Sequence, residues 1–273
     1  MSKYPASKGW ASKDWQEWFS SLRGSAESRL DDLVRGDGDP AEHVHEIRKI
    51  LKRLRAGTRL LRYVVDRRSG RAVQSACRDA GRLLSGSRDQ TVRLQTFENV
   101  VGKSGKHEPK SIAAVRQHLE DEAKRAQVVA GDQAKAARRL LKLAGLPKSR
   151  WGMAEPADIH KALRHLLKRA RTEYLDIRDG YSVAFHDLRK RVKDLYYNLT
   201  ALPSDVADEA GPAITRLKKL SDILGEENDV AVLMDWFESE GYHWAEYTGL
   251  WKPFLKRERT LQKEAVQVGR LLE

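Results

Sequence analysis

Apolar residues along this chain recur mostly at intervals of three and four, the spacing that places them on one face of an α-helix. Runs of Val, Ile and Thr that alternate with polar residues, which would predict β-strands, are missing. The pattern therefore predicts an all-α protein. The predicted helices cover about 12–24, a segment through Leu30 and Leu33, 40–65, 71–85, 89–99, 111–129, 132–144, 157–178, 183–202, 213–224, 227–240 and 243–270.

Glycine and proline mark the predicted breaks between these helices. The Gly36-Asp37-Gly38-Asp39 run precedes Pro40, a residue that suits the first position of a helix. A loop is predicted over 102–109, and the segment 145–156 is the best candidate for a linker between two parts of the chain. We therefore expect one domain over 1–273, built from a first helical half at 10–145 and a second at 157–273.

The composition predicts a basic protein with an anionic partner. The 273 residues include 51 Lys and Arg against 39 Asp and Glu, a formal net charge of +12. A single cysteine excludes an internal disulfide framework and is typical of a reducing cytosol. No stretch is long and apolar enough to span a bilayer, and the first residues do not resemble a signal peptide. These features predict a soluble, cytoplasmic protein without a membrane partner.

An internal repeat is the most informative feature of the sequence. The segment HEIRKILKRL at 45–54 returns as HDLRKRVKDL at 186–195, an offset of 141 positions from His45 to His186. A second pair of segments, 84–89 and 224–229, shares Leu and Asp at an offset of 140 from Leu84 to Leu224. Because two separate anchors give nearly the same period, we interpret the halves as related copies.

Each copy places one His and three basic residues on a single helix face, since they stand at positions i, i+3, i+4 and i+7. The first stripe is His45, Arg48, Lys49 and Lys52, and the second stripe is His186, Arg189, Lys190 and Lys193. Neighbouring like charges repel, so such stripes cost stability unless an anion meets them. Arginine binds phosphate in bidentate fashion and lysine adds charge. Since no nucleophile or carboxylate pair accompanies the stripes, they predict anion binding without catalysis, and no cofactor.

Other interpretations of the stripes stay open at the level of sequence. The charged faces could be merely solvated, and His45 and His186 could be interior histidines with satisfied hydrogen bonds. Either histidine could also accept a phosphoryl group in a phosphohydrolase or phosphotransferase. A nonspecific nucleic-acid binder would use the same charge, although Tyr196 and Tyr197 are the only nearby candidates for aromatic stacking platforms.

Several familiar motifs fail on their spacing. A P-loop ending at Lys103 would need glycine at position 97, where Phe97 stands. The ExExK pattern at 120–124 lies in a helical segment, where alternate residues do not share a face. His45-Glu46-x-x-Lys49 lacks the second His of a zinc motif, so no metal site is predicted.

The paired H-x-[IL]-R-K-x-x-K segments, the LGxxND element at 224–229 and the basic LKRAR segment at 167–171 resemble the CHAD family, a histidine-bearing α-helical domain. The resemblance covers the chain from about residue 10 to its end. It implies two pseudo-symmetric four-helix bundles with a basic channel between them, lined by both stripes. It also implies binding of inorganic polyphosphate and localisation to polyphosphate granules. Further candidate ligands on this basis are Arg55, Arg78, Arg171 and Lys218.

The second copy departs from the first at three positions. Gly225 stands where the first copy has Ser85, Asn228 where it has Arg88, and Tyr196 where it has Arg55. The second copy is therefore less basic, and the first stripe is expected to bind an anion more strongly.

Overall fold

The computed structural model describes residues 12–62, 65–102, 109–145, 156–179, 184–202 and 210–273. Regular structure in these ranges is helical and includes no β-strand, which confirms the all-α prediction. The helices are α1 (Ser12–Arg35), α2 (Pro40–Leu60), α3 (Arg67–Leu83), α4 (Ser85–Val101), α5 (Lys110–Ala144), α6 (Pro156–Arg178), α7 (Ala184–Leu199), α8 (Gly211–Ser239) and α9 (Thr248–Gly269). A short 3-10 helix, Arg270–Leu272, follows α9.

The start of α2 agrees with its sequence signals. Gly36 adopts the left-handed conformation, with φ of 79°, directly after α1 ends. Asp39 caps α2, because its side chain accepts a hydrogen bond of 3.0 Å from the Ala41 amide, and Pro40 takes the first turn. The stripe that α2 carries therefore begins one turn after a defined cap.

Three predicted helix breaks are wrong. Helix α1 continues through Gly24, α5 continues through Gly131, and α8 continues through Gly225. In α1 the reason is the apolar face, which persists on both sides of Gly24 and is buried throughout, whereas one glycine costs a helix only about 1 kcal/mol. Continuous burial outweighs the local preference of a single residue.

Some predicted helix ends also move. Helix α2 ends at Leu60 instead of 65, α7 at Leu199 instead of 202, and α9 begins at Thr248 instead of 243. The predicted loop over 102–109 and the predicted linker over 145–156 lie almost entirely outside the described residues.

Two compact units account for the packing of the chain. Unit 1 is Met1–Ser85, Ala130–Lys168 and Asp194–Thr215; unit 2 is Gly86–Val129, Arg169–Lys193 and Arg216–Glu273. Each unit draws residues from both predicted sequence halves, because the unit boundaries fall inside α5, α6, α7 and α8. The proposed pairing of the halves as symmetric four-helix bundles remains a prediction.

The core of unit 1 is built on the apolar faces of α1 and α2. Trp15 and Phe19 of α1 and Ile47 and Leu51 of α2 belong to one buried cluster. In unit 2 the core is aromatic, and Phe237 lies at its centre. Trp15, Trp236 and Trp251 are buried, whereas Trp244 is exposed. Trp10 and Trp151 lie outside the described residues.

Replacing Gly57 with alanine is expected to destabilise unit 1. A Cβ at Gly57 would lie 2.6 Å from Trp18 Cζ3, closer than atoms pack, and 3.3 Å from Phe19 Cζ, which is a tight contact. Overpacking of this kind costs about 1–3 kcal/mol, more than the helix propensity that alanine adds. Gly24→Ala is the matched control, since no atom lies within 4 Å of its Cβ position, and it should stabilise by about 0.5–1 kcal/mol. Thermal unfolding of both variants checks this difference in sign.

Candidate functional site

The first stripe lies on the face of α2 opposite its buried residues. Ile47, Leu51 and Leu54 are buried in the core of unit 1, which fixes how the helix is rotated. His45 and Lys49 are consequently exposed, and Arg48 and Lys52 are half-buried. The side chains that the sequence placed on one face do share that face.

The second stripe shows the same environment on α7. Leu188, Val192 and Leu195 are buried, at the positions of Ile47, Leu51 and Leu54 in the first copy. The four stripe residues again alternate: His186 and Lys190 are exposed, and Arg189 and Lys193 are half-buried. The repeat in the sequence is therefore also a repeat of local environment at the four stripe positions and at these three buried positions.

Each stripe contains one ion pair that the other reproduces. Lys49 Nζ lies 3.3 Å from Glu46 Oε1, and Lys190 Nζ lies 3.0 Å from Asp187 Oδ1, both at a spacing of three residues. The hydrogen bond from Lys190 lowers the pKa of Asp187. Such exposed pairs contribute at most about 1 kcal/mol, so a polyanion can displace the carboxylates from the lysines.

The second repeated segment lies beside the stripe in each copy. Arg48 donates to the backbone oxygen of Ser85 at 3.3 Å. In the other copy His186 Nδ1 lies 2.9 Å from Asn228 Oδ1, and a Cβ at Gly225 would lie 3.9 Å from Lys193 Nζ. Since an amide oxygen only accepts, His186 Nδ1 donates this hydrogen bond. The two sequence anchors of the repeat are thus spatial neighbours within each unit.

The further candidate residues have more varied surroundings. Arg55 is half-buried on α2, and Arg171 is exposed on α6. Arg78 donates to Asp79 at 3.0 Å, and Lys218 donates to Asp222 at 2.6 Å, so both exposed cations already have an acidic partner on their own helix. Their role as ligands, like the channel that the family resemblance implies, remains a prediction.

The sequence analysis overlooked Glu227, a buried carboxylate on α8 next to Asn228. Its side chain accepts a hydrogen bond of 3.1 Å from Gln262 on α9. Burial raises the pKa of Glu227, an effect that this hydrogen bond and the charges of Arg189 and His186 partly oppose. The only signal in the sequence was the Glu-Glu pair at 226–227, where the first copy has Gly86-Ser87.

The Cys77 thiol is buried, and burial raises its pKa to about 12, so it is protonated at neutral pH. No group of three or more His, Cys, Asp or Glu side chains in the part of the chain that the structure describes is arranged to hold a metal ion. None of the described helices has the length and apolar character needed to cross a membrane.

Comparison with known proteins identifies the family. The family model for the CHAD domain matches residues 23–238, and the chain belongs to this family. Its fold is similar to the crystal structure of the CHAD domain from the plant Ricinus communis, with a TM-score of 0.70 and 17% identity over 97% of this chain and 93% of that one. No match was found among curated protein sequences.

Proposed function

We propose that this CHAD protein binds inorganic polyphosphate through its two stripes and does not hydrolyse or transfer it. The observation that carries the proposal is the duplicated stripe, which keeps the same residue types at the same depth of burial in both copies. A charged face that only meets solvent has no need of the same four residues twice. A bound anion accounts for the repeated cations, because it offsets the repulsion among them.

The shape of each stripe suits a chain of phosphates better than a single ion. From i to i+7 an α-helix rises about 10 Å, so each stripe is an elongated row of cations. The half-buried Arg48 and Arg189 can bind phosphate oxygens in bidentate fashion, and the exposed lysines add charge without strict geometry. His45 and His186 can donate hydrogen bonds to phosphate oxygens. On this proposal the protein recognises polyphosphate and associates with polyphosphate granules in the cytoplasm.

Two other functions lead to different results. A phosphotransferase or phosphohydrolase would need a phosphoaccepting histidine, and incubation with polyphosphate and Mg²⁺ would then release phosphate or label His45 or His186. A nucleic-acid binder would usually offer aromatic stacking platforms among its cations. The half-buried Tyr196 and Tyr197 instead contact each other, with ring centroids 5.5 Å apart.

The proposal is tested by titrating the purified protein with long-chain polyphosphate at several salt concentrations. We expect binding that weakens steeply as salt rises, by analogy with counterion release from nucleic acids. Short DNA and RNA at equal phosphate concentration should compete poorly. Binding that is weak at low salt, or that nucleic acid displaces, would contradict the proposal.

A further inference from the structure

Glu227 combines a buried carboxylate with a place in the segment that contacts the second stripe. Only 5% of its surface is exposed. Its neighbour in the sequence, Asn228, accepts a hydrogen bond of 2.9 Å from His186 Nδ1. Gln262 donates a hydrogen bond of 3.1 Å to the Glu227 carboxylate. A carboxylate that can gain or lose a proton therefore lies in the segment beside the second stripe.

The charged groups around Glu227 come from two neighbouring helices. From α7 it meets the positive charges of Arg189 and His186. From α9 it meets Gln262, and it also interacts with Glu258, which is half-buried and has a raised pKa, first through burial and then through Glu227. Glu227 thus interacts with the cations of the stripe and with a second carboxylate, so a bound proton changes the balance of charge.

The first copy lacks this arrangement. Residues 85–89 read Ser-Gly-Ser-Arg-Asp, whereas residues 225–229 read Gly-Glu-Glu-Asn-Asp. The second segment therefore has two more carboxylates and one arginine fewer at the same place beside its stripe. Since α4 begins at Ser85 without any of these acids, the helical fold does not require Glu227.

We propose that Glu227 couples anion binding at the second stripe to the uptake of a proton, so that this stripe binds polyphosphate best when the carboxyl is neutral. The first stripe, without such a carboxylate, binds independently of this proton. The inference rests on the proposed function and adds a regulation to it. Its physical reason is electrostatic: an ionised Glu227 repels the phosphate and neutralises part of the charge on Arg189 and His186.

The direction of the pH dependence follows from burial. Desolvation already raises the pKa of Glu227, and a polyanion on the stripe adds negative charge that raises it further. Binding and protonation therefore favour each other, and affinity at the second stripe should increase as the pH falls. The test must separate Glu227 from its ionisable neighbour His186.

Replacing Glu227 with glutamine separates them, because the amide keeps an acceptor for Gln262 and removes the charge while His186 stays. Long-chain polyphosphate is titrated calorimetrically into Glu227→Gln and the unmodified protein, at about pH 5.5 to about pH 8, in buffers of different ionisation heats. The same pair is compared in a Lys49→Ala/Lys52→Ala background, which weakens the first stripe. At about pH 7.5 we expect Glu227→Gln to bind roughly threefold to tenfold tighter and to take up fewer protons.

Glu226→Gln is the matched control, since it removes a neighbouring carboxylate that pairs with Arg257 at 2.6 Å instead of facing the stripe. It should leave proton uptake unchanged. Unfolding provides a second check: the raised pKa means that Glu227 stabilises the fold less as the pH rises, so Glu227→Gln should melt no lower than the unmodified protein at neutral pH.

Three results would overturn the inference. Unchanged affinity and unchanged proton uptake in Glu227→Gln would show that the carboxyl is not coupled to binding. Weaker binding by this variant would show that Glu227 only positions Arg189. In both cases binding by the unmodified protein leaves the proposed function intact. Absence of polyphosphate binding to the unmodified protein would instead remove the proposed function and the inference together.

Discussion

A variant with all four stripe lysines replaced by alanine is expected to bind polyphosphate roughly 100-fold to 1,000-fold more weakly than the unmodified protein. The substituted residues are Lys49, Lys52, Lys190 and Lys193. Each lost contact costs roughly 0.7–1 kcal/mol, so four losses cost about 3–4 kcal/mol, which is two to three decades in affinity. The salt dependence should also become shallower, because fewer counterions are released.

The control for this variant removes the same charge elsewhere. Four exposed lysines on α5 and α9 serve for it: Lys110, Lys124, Lys142 and Lys263. Their replacement by alanine should lower affinity only a few-fold, through the smaller net charge. If both variants fold and lose affinity equally, the polyanion recognises overall charge and the stripes are not a site. Circular dichroism and thermal unfolding establish that each variant is folded.

Replacing Phe237 with alanine is expected to cause the largest loss of stability, about 3–5 kcal/mol. The side chain is fully buried at the centre of unit 2. Its ring centroid lies 5.1 Å from Phe254, 5.7 Å from Trp251 and 6.4 Å from Phe97, each in an edge-to-face arrangement. Truncation removes the buried apolar surface and the ring contacts, and leaves a cavity that rigid rings fill poorly.

Denaturant unfolding measures this loss against Val232→Ala. Val232 lies on the same helix, α8, but is exposed, so its truncation should change the free energy of unfolding by no more than about 0.5 kcal/mol. Similar losses in the two variants would contradict the packing at Phe237. Near-ultraviolet circular dichroism should change for Phe237→Ala alone, because the aromatic cluster surrounds that position.

The parts of the fold that sequence predicted are those set by local patterns. The period of the apolar residues gave the helices, and the fixed geometry of a helix gave the shared face of His45, Arg48, Lys49 and Lys52. Pro40 and Asp39 marked a true helix start because capping is a local interaction. The CHAD family could be identified from the repeated motif, because the residues of that motif stand at short spacings within single helices.

The parts that sequence did not predict depend on packing over long distances along the chain. Gly24 and Gly225 were interpreted as breaks, yet the buried faces on either side continue the helices. Arg59 follows the first stripe on α2, and its ion pair with Asp194, a partner far away in the chain, is not visible in the local pattern. Glu227 was missed for the same reason, because its burial requires α9 beside α8.

Chemical modification of the buried Cys77 reports unfolding of the chain. A thiol inside the core of unit 1, with a pKa of about 12, is shielded from maleimides and disulfide reagents while that core is closed. Since it is the only cysteine, reagents can modify the native sulfur only after local opening. A cysteine introduced on an exposed helix face can consequently carry a fluorophore at one defined place, without first removing the natural one.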